Sequence, residues 1–213
     1  RLLSRGLGDV YKRQPFIFSL FFGLVLSSIK EPWQRVKSRN FFRYTLCFSA
    51  FILVLLYTTF SFANEGGNNL LIIGGALALT AMLLPGISGA LVLLTLGQYT
   101  VIANAVHDSD FTVIFYFLSG GLLGLVTFVP LMNYMLLNYK EDVMSVLTGL
   151  MLGSLATLWP WKESYDSKGV SPNLGLNQIL EDFEFIHILG TIFSGFLGLI
   201  LYLSLKRLEE DAK

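Results

Sequence analysis

Apolar residues in this 213-residue chain fall into long blocks separated by short polar stretches. The blocks run from Pro15 to Ile29, Tyr44 to Phe62, Leu70 to Val106, Phe111 to Leu137, Val143 to Leu158 and Phe185 to Leu205. Most have the length a helix needs to cross about 30 Å of hydrocarbon at about 1.5 Å per residue. The pattern predicts an all-α fold, a polytopic bundle of transmembrane helices.

The third block is too long for one ordinary crossing, and Pro85-Gly86-Ile87-Ser88-Gly89 interrupts it. Either its halves return to the side they came from as a re-entrant broken helix, or they form one long interrupted span. Basic residues separate the two arrangements, because Lys and Arg collect in cytoplasmic loops. The loop Lys30 to Arg43 holds Lys30, Arg35, Lys37, Arg39 and Arg43 against the single acid Glu31, and Pro32 is expected to stop the helix before it. The cluster Asn64 to Asn69 has no Lys or Arg and is expected outside. Counted beyond Gln14, a re-entrant hairpin over 70–106 adds Lys140, Lys206, Arg207 and Lys213 to the inner side, nine basic residues there against Lys162 and Lys168 outside. A full crossing inverts every later loop and leaves seven inside against four outside. The charge pattern therefore predicts about five spans plus a re-entrant hairpin, forming a single transmembrane domain over 15–213.

Residues 1–14 do not belong to that pattern. RLLSRGLGDVYKRQ is polar and basic, with neither the apolar centre nor the cleavage site of a signal peptide. Its last six residues, Asp9 to Gln14, are what a transposon-end adapter of shotgun sequencing libraries encodes in one frame. This predicts a library-derived segment fused to a chain whose natural sequence extends further at its amino end. The alternative is a basic cytoplasmic tail.

Composition agrees with a lipid solvent. Hydrophobic residues make up 54% of the chain and charged residues 14%, whereas soluble domains carry about a quarter charged residues. Formal net charge is zero and no basic tract is dense enough to track phosphates, which excludes a nucleic-acid partner. Cys47 is the single cysteine, so there is no disulfide framework and no thiolate metal site. His107 and His187 lie near block ends without neighbours at ligand spacing, and neither a metal nor another cofactor is expected.

Candidate chemistry concentrates at the interruption. Pro85 cannot donate a backbone hydrogen bond, and Gly86 and Gly89 accept unusual dihedrals, so a helix can unwind there and restart near Ser88. A restarting helix presents unpaired N–H groups and the positive end of its dipole, an arrangement suited to anions, and broken helices of this kind hold charged substrates in many transporters. The alternative is a proline kink whose freed carbonyls are satisfied by neighbouring helices. Gln98, Tyr99, Asn104, Thr127, Asn133, Thr148 and Ser154 are further polar groups inside apolar blocks, suited to helix-to-helix hydrogen bonds. No Asp, Glu, Lys or Arg lies at a block centre, which argues against a proton relay. Neither a nucleophile motif nor a nucleotide loop supports an enzyme. Glycine and serine recur at helical spacing in the later blocks, as in Gly190, Ser194 and Gly198, where backbones can approach closely.

The stretch Ala78 to Val106, ALTAMLLPGISGALVLLTLGQYTVIANAV, resembles a bacterial and archaeal membrane family, domain-of-unknown-function family 368, associated with polyprenyl-phosphate transport. The similarity extends to Phe21–Ile29 and to Thr148–Leu155 leading into Trp159-Pro160-Trp161-Lys162. Its most specific feature is the proline-glycine-x-serine-glycine element followed by Gly97-Gln98-Tyr99. The family usually carries two such elements, in related halves, and this chain has one, in keeping with a truncated amino end. The resemblance implies a translocase that returns undecaprenyl phosphate, the lipid carrier of cell-wall synthesis, across the cytoplasmic membrane, with polyprenyl phosphate and membrane lipids as partners. It implies a substrate site of Pro85, Gly86, Ile87, Ser88 and Gly89, with Ser88 and the backbone of Gly86, Ile87 and Gly89 on the headgroup and Gln98 and Tyr99 behind them. Two other readings remain open: a transporter of a small soluble anion using the same broken helix, and a non-transporting scaffold that docks through Gly190, Ser194 and Gly198.

Overall fold

The computed structural model describes residues 2–59, 68–85, 87–163 and 172–211. Gly86, most of the cluster Asn64–Asn69, and 164–171 of the loop after Lys162 therefore lie outside the described residues. The helices are α1 (Leu2–Ser28), α2 (Lys30–Gln34), α3 (Phe41–Thr59), α4 (Asn68–Ala81), α5 (Gly89–Thr95), α6 (Tyr99–His107), α7 (Phe111–Asn138), α8 (Lys140–Thr157), α9 (Leu176–Asp182) and α10 (Phe185–Asp211). Among the described residues no strand forms, and Lys162 and Asn173 make an isolated antiparallel bridge. The architecture is the all-α membrane bundle expected from the block pattern. Three stretches, Gln14–Gln34, Phe111–Asn138 and Phe185–Leu208, are long and apolar enough to cross a membrane.

Element boundaries depart from the block pattern in three places. Helix α1 runs without interruption through residues 2–14 into the first apolar block, with Pro15 inside it. It ends at Ser28, earlier than the expected stop at Pro32, and Pro32 sits instead in the first turn of α2, where its missing N–H costs no helical bond. The third block breaks twice, at 82–88 as expected and again at Gly97.

The chain divides into two compact units. The first contains α1, the turn that follows α8, α9 and α10. Here α1 and α10 meet along a seam of small residues. A Cβ on Gly23 would overlap the carbonyl of Gly195, one on Gly198 would overlap that of Leu20, and one on Gly190 would come 2.7 Å from the Phe16 ring. Hydroxyls stitch the same seam, with Ser19 Oγ donating to the Thr191 carbonyl at 2.6 Å and Ser194 Oγ to that of Phe16 at 2.7 Å. At its far end Glu31 accepts from Tyr202 Oη and from Lys206 Nζ, both at 2.6 Å. Partners advance together along both helices, from Phe16 with Gly190 to Glu31 with Lys206, so α1 and α10 run parallel.

Beyond α8, Trp159 Nε1 donates to Leu174 O at 3.2 Å and Leu174 N to Trp161 O at 3.0 Å. Trp161 is buried. Lys162 reaches the Thr157 carbonyl and lies over the Phe18 ring, and burial pushes its ammonium below the usual lysine range.

The second unit holds α3 to α7 and α8 as far as Ser154. Glycines again set the spacing. Gly120 faces the Ile72 backbone, Gly121 faces Leu79, and a Cβ on Gly124 would come 2.8 Å from Ala76 Cα, which aligns α4 parallel to α7. Gly149 faces the Cys47 carbonyl, and a Cβ on Gly153 would come 2.6 Å from that of Val54, while Ala50, Val54 and Leu150 form one apolar cluster. Thus α3 and α8 are parallel too. Their first turns are joined by Arg43, whose Nε lies 2.9 Å from Asp142 Oδ1 and whose Nη1 lies 2.8 Å from Glu141 Oε2. The same guanidinium holds Ser38, whose N–H donates to Glu141 at 3.0 Å. The outward faces carry large apolar side chains such as Phe115, Leu122 and Val126 on α7. Patches of that kind are a liability in water and the expected surface in lipid.

Close backbone approach at the seams makes a direct prediction. Gly198→Leu must push α10 off α1 and should destabilise the protein by at least about 1–3 kcal/mol, the usual cost of overpacking. Ile200→Ala, on the exposed side of the same helix, should change little. Thermal unfolding of both variants in detergent reads the difference, and equal midpoints would show that the seam is slack.

Candidate functional site

The interruption folds into a helical hairpin. Helix α4 closes with turns at Leu83 and Leu84, whose N–H groups donate to Thr80 O and Ala81 O at 3.1 and 3.0 Å. The chain then turns through Pro85, which is exposed, and α5 starts again at Gly89. Gly89 is buried against α4, where a Cβ would come 2.6 Å from the Ala78 carbonyl and 2.7 Å from Met82 Cγ. Further along, Gln98 reaches α4 at Gly74. Because Gly89 pairs with Ala78 and Gln98 with the earlier Gly74, α5 runs back antiparallel to α4. Ala78, Ala81, Val92 and Leu93 form the core of the hairpin.

Ser88 is the N-cap of α5, in extended conformation at φ −95° and ψ 126°, and its side chain makes no capping bond. The first N–H groups of α5 therefore have no acceptor within the helix or from the cap, and the Ser88 hydroxyl lies on the exposed side of the elbow. Ile87 is anchored differently. Its side chain packs against the hairpin core and also against the Ala50, Val54 and Leu150 cluster, and its N–H donates to Leu84 O at 3.4 Å.

The second break is a helix C-cap. Gly97 adopts φ 68°, Gly97 N donates to Leu94 O at 3.0 Å and Gln98 N to Leu93 O at 2.8 Å. These two bonds define a Schellman motif, and glycine is favoured at its left-handed position. The motif fixes where Gln98 stands. Its side chain is 2% exposed, and neither Nε2 nor Oε1 has a hydrogen-bond partner among the described residues. Tyr99 follows as the first residue of α6 and packs on the hairpin core.

The expected site residues thus separate into two groups. Pro85, Ile87, Ser88 and Gly89 form the elbow; Gln98 and Tyr99 lie at the other end of α5; Gly86 lies outside the described residues. Helix α5, seven residues long counting Gly89, lies between the groups and spans about 10 Å at the α-helical rise, while Ile87 and Tyr99 pack on the same hairpin core. Gly74 escaped sequence reasoning, although the Gly74-Gly75 pair within an apolar block was its visible signal.

Parallel apolar helices joined by glycine seams in each unit, and a broken hairpin within the second, define a polytopic membrane protein. Residues 3–172 match the family described as VCA0040-like, undecaprenyl phosphate translocase-like, and the chain belongs to that family. It is 32% identical over 199 residues to the polyprenyl-phosphate transporter of Vibrio cholerae serotype O1, an alignment that covers 88% of this chain. The chain spans 62% of the length of that relative. No solved structure matches it.

Substitution at the second break checks its geometry. Gly97→Ala retains the space but strains a left-handed backbone, at a cost of about 1–2 kcal/mol. It should lower the unfolding midpoint in detergent, whereas Gly97→Asn, which tolerates this conformation better, should lower it less. Equal behaviour of Ala and Gly would mean that the motif does not set the position of Gln98.

Proposed function

We propose that this chain is a transporter rather than an enzyme, carrying a polyprenyl monophosphate, undecaprenyl phosphate, across the cytoplasmic membrane. The elbow at 82–88 is the observation that carries this reading. A phosphate headgroup is strongly disfavoured in hydrocarbon, and the elbow offers it an uncapped helix start and a free-facing hydroxyl while the prenyl tail remains in lipid. Ser88 and the backbone of Gly86, Ile87 and Gly89 are the headgroup contacts in this reading. Family membership and the name of the Vibrio relative, a polyprenyl-phosphate transporter, support the same substrate.

The reading includes a topology of about five spans with α4 and α5 as a re-entrant hairpin. In that topology α1, α7 and α10 run inward, α3 and α8 run outward, and α4 enters from outside. Each observed pairing, α1 with α10, α3 with α8 and α4 with α7, is then parallel. A full crossing by the third block would make all three antiparallel. It would also put Arg43 and its partners Glu141 and Asp142 on opposite sides of the membrane, and likewise Glu31 and Lys206. Helix direction and ion pairing thus support the arrangement that the basic residues favoured.

Two experiments test the proposal. On a Cys47→Ser background, Ser38→Cys and Asn138→Cys should label from one face of sealed membranes and Ser109→Cys from the other; labelling of Ser38→Cys and Asn138→Cys from opposite faces would overturn the topology. For the substrate, binding of undecaprenyl phosphate in detergent should weaken about tenfold in Ser88→Ala, the loss of one hydrogen bond to a charged group. It should be largely lost in Gly89→Leu, which forces α5 away from α4. If wild type fails to bind, or neither change matters, the elbow is only a kink and the transport reading fails with it.

A further inference from the structure

A buried amide with both ends unpaired is costly, because a group stripped of water and given no partner forfeits its full desolvation energy. Gln98 is such a group: it is 2% exposed, and Nε2 and Oε1 are both unpartnered among the described residues. The neighbouring helix is shaped around it. A Cβ on Gly74 would overlap Oε1 and come 3.1 Å from Cδ, so any larger residue at this point of α4 would force the amide to move. Packing alone would be better served by Leu or Met. Gln98 is also the N-cap of the nine-residue α6, and its side chain makes no capping bond. The first-turn N–H groups of Tyr99, Thr100 and Val101 therefore lie beside it without helical acceptors.

What the amide lacks is a partner that both accepts and donates, since a glutamine offers two N–H donors and one carbonyl acceptor. A phosphate monoester with one proton has that combination, its P–O⁻ accepting and its P–OH donating. A phosphate diester has no proton to give near neutral pH and would leave Oε1 unpaired. We propose that Gln98 is a second headgroup contact, separate from the elbow, that selects a protonated phosphate monoester over the diesters of ordinary phospholipids. The inference rests on the lipid-phosphate reading above and adds a selectivity element to it. Oε1 and Nε2 are closed off against α4, so the headgroup reaches them as α5 parts from α4 at Gly74. With the two contacts at opposite ends of α5, a headgroup moving along the hairpin meets them in succession.

Gln98→Met in the full chain keeps the shape and removes the polar atoms. In the absence of lipid its unfolding midpoint should rise, because an orphaned amide has gone. Its affinity for undecaprenyl phosphate should fall about 10–100-fold, the range expected for hydrogen bonds to a charged group, and the preference of wild type for that lipid over phosphatidylglycerol should shrink by a similar factor. Gly74→Ala, which expels the amide without deleting it, should reduce the same preference. Inorganic phosphate serves as the third probe: weak binding relative to undecaprenyl phosphate supports a lipid-borne headgroup, and equal binding overturns that source. If Gln98→Met melts lower than wild type and keeps the lipid preference, the amide is structural and the inference falls. If undecaprenyl phosphate binding remains sensitive to Ser88→Ala yet indifferent to Gln98→Met and Gly74→Ala, the transport reading stands and only the role of Gln98 is lost. Failure of wild type to bind any of the lipids removes both.

Discussion

Helices in lipid gain little from hiding apolar surface, since the tails around them are as apolar as leucine. What holds this chain together is the close approach of backbones where glycine removes the side chain. Gly23 and Gly198 bring α1 onto α10, Gly120 and Gly124 bring α7 onto α4, and Gly149 and Gly153 bring α8 onto α3. At these distances dispersion acts over many atom pairs, and serine hydroxyls such as Ser19 and Ser194 reach carbonyls across the seam. The hairpin depends on this spacing. Helix α5 lies on α4, α4 is held by α7, and the elbow is fixed where Ile87 enters the clusters on both sides.

Much of this order is visible in the residues. Apolar blocks of span length gave the helices, and Pro85 and its glycines gave the first break. The recurrence of Gly190, Ser194 and Gly198 marked the face of α10 that meets α1. Less visible were features that depend on partners far away in the chain. The pairing of Arg43 with Glu141 and Asp142 joins loops that look independent. Gly97 lies in an apolar run like many glycines, and its backbone conformation becomes evident only from the two hydrogen bonds that close α5. Gln98 could be read as an ordinary interhelical polar group until its burial beside Gly74 was known.

The hairpin places two kinds of polar group at its two breaks. At the elbow they are backbone N–H groups and a hydroxyl, which stay exposed; at the second break there is a side-chain amide shut against its neighbour. An exposed donor can exchange partners with water or lipid at little cost, whereas a buried one discriminates by what it loses when unpaired. In the proposed reading, capture and selection fall to separate ends of one short helix.

The pairing of α1 with α10 carries a consequence for biogenesis. Ser19 and the Thr191 carbonyl it bonds are 172 residues apart in sequence. At about 5–20 residues per second, the ribosome needs roughly ten to thirty seconds after making one before it delivers the other. Through that interval the small-residue face of α1 has no α10 to cover it. The second unit can finish its contacts meanwhile, since Arg43 and Asp142 are nearer in sequence. Helix α1, made well before its partner α10, then waits for the contacts that fix its place.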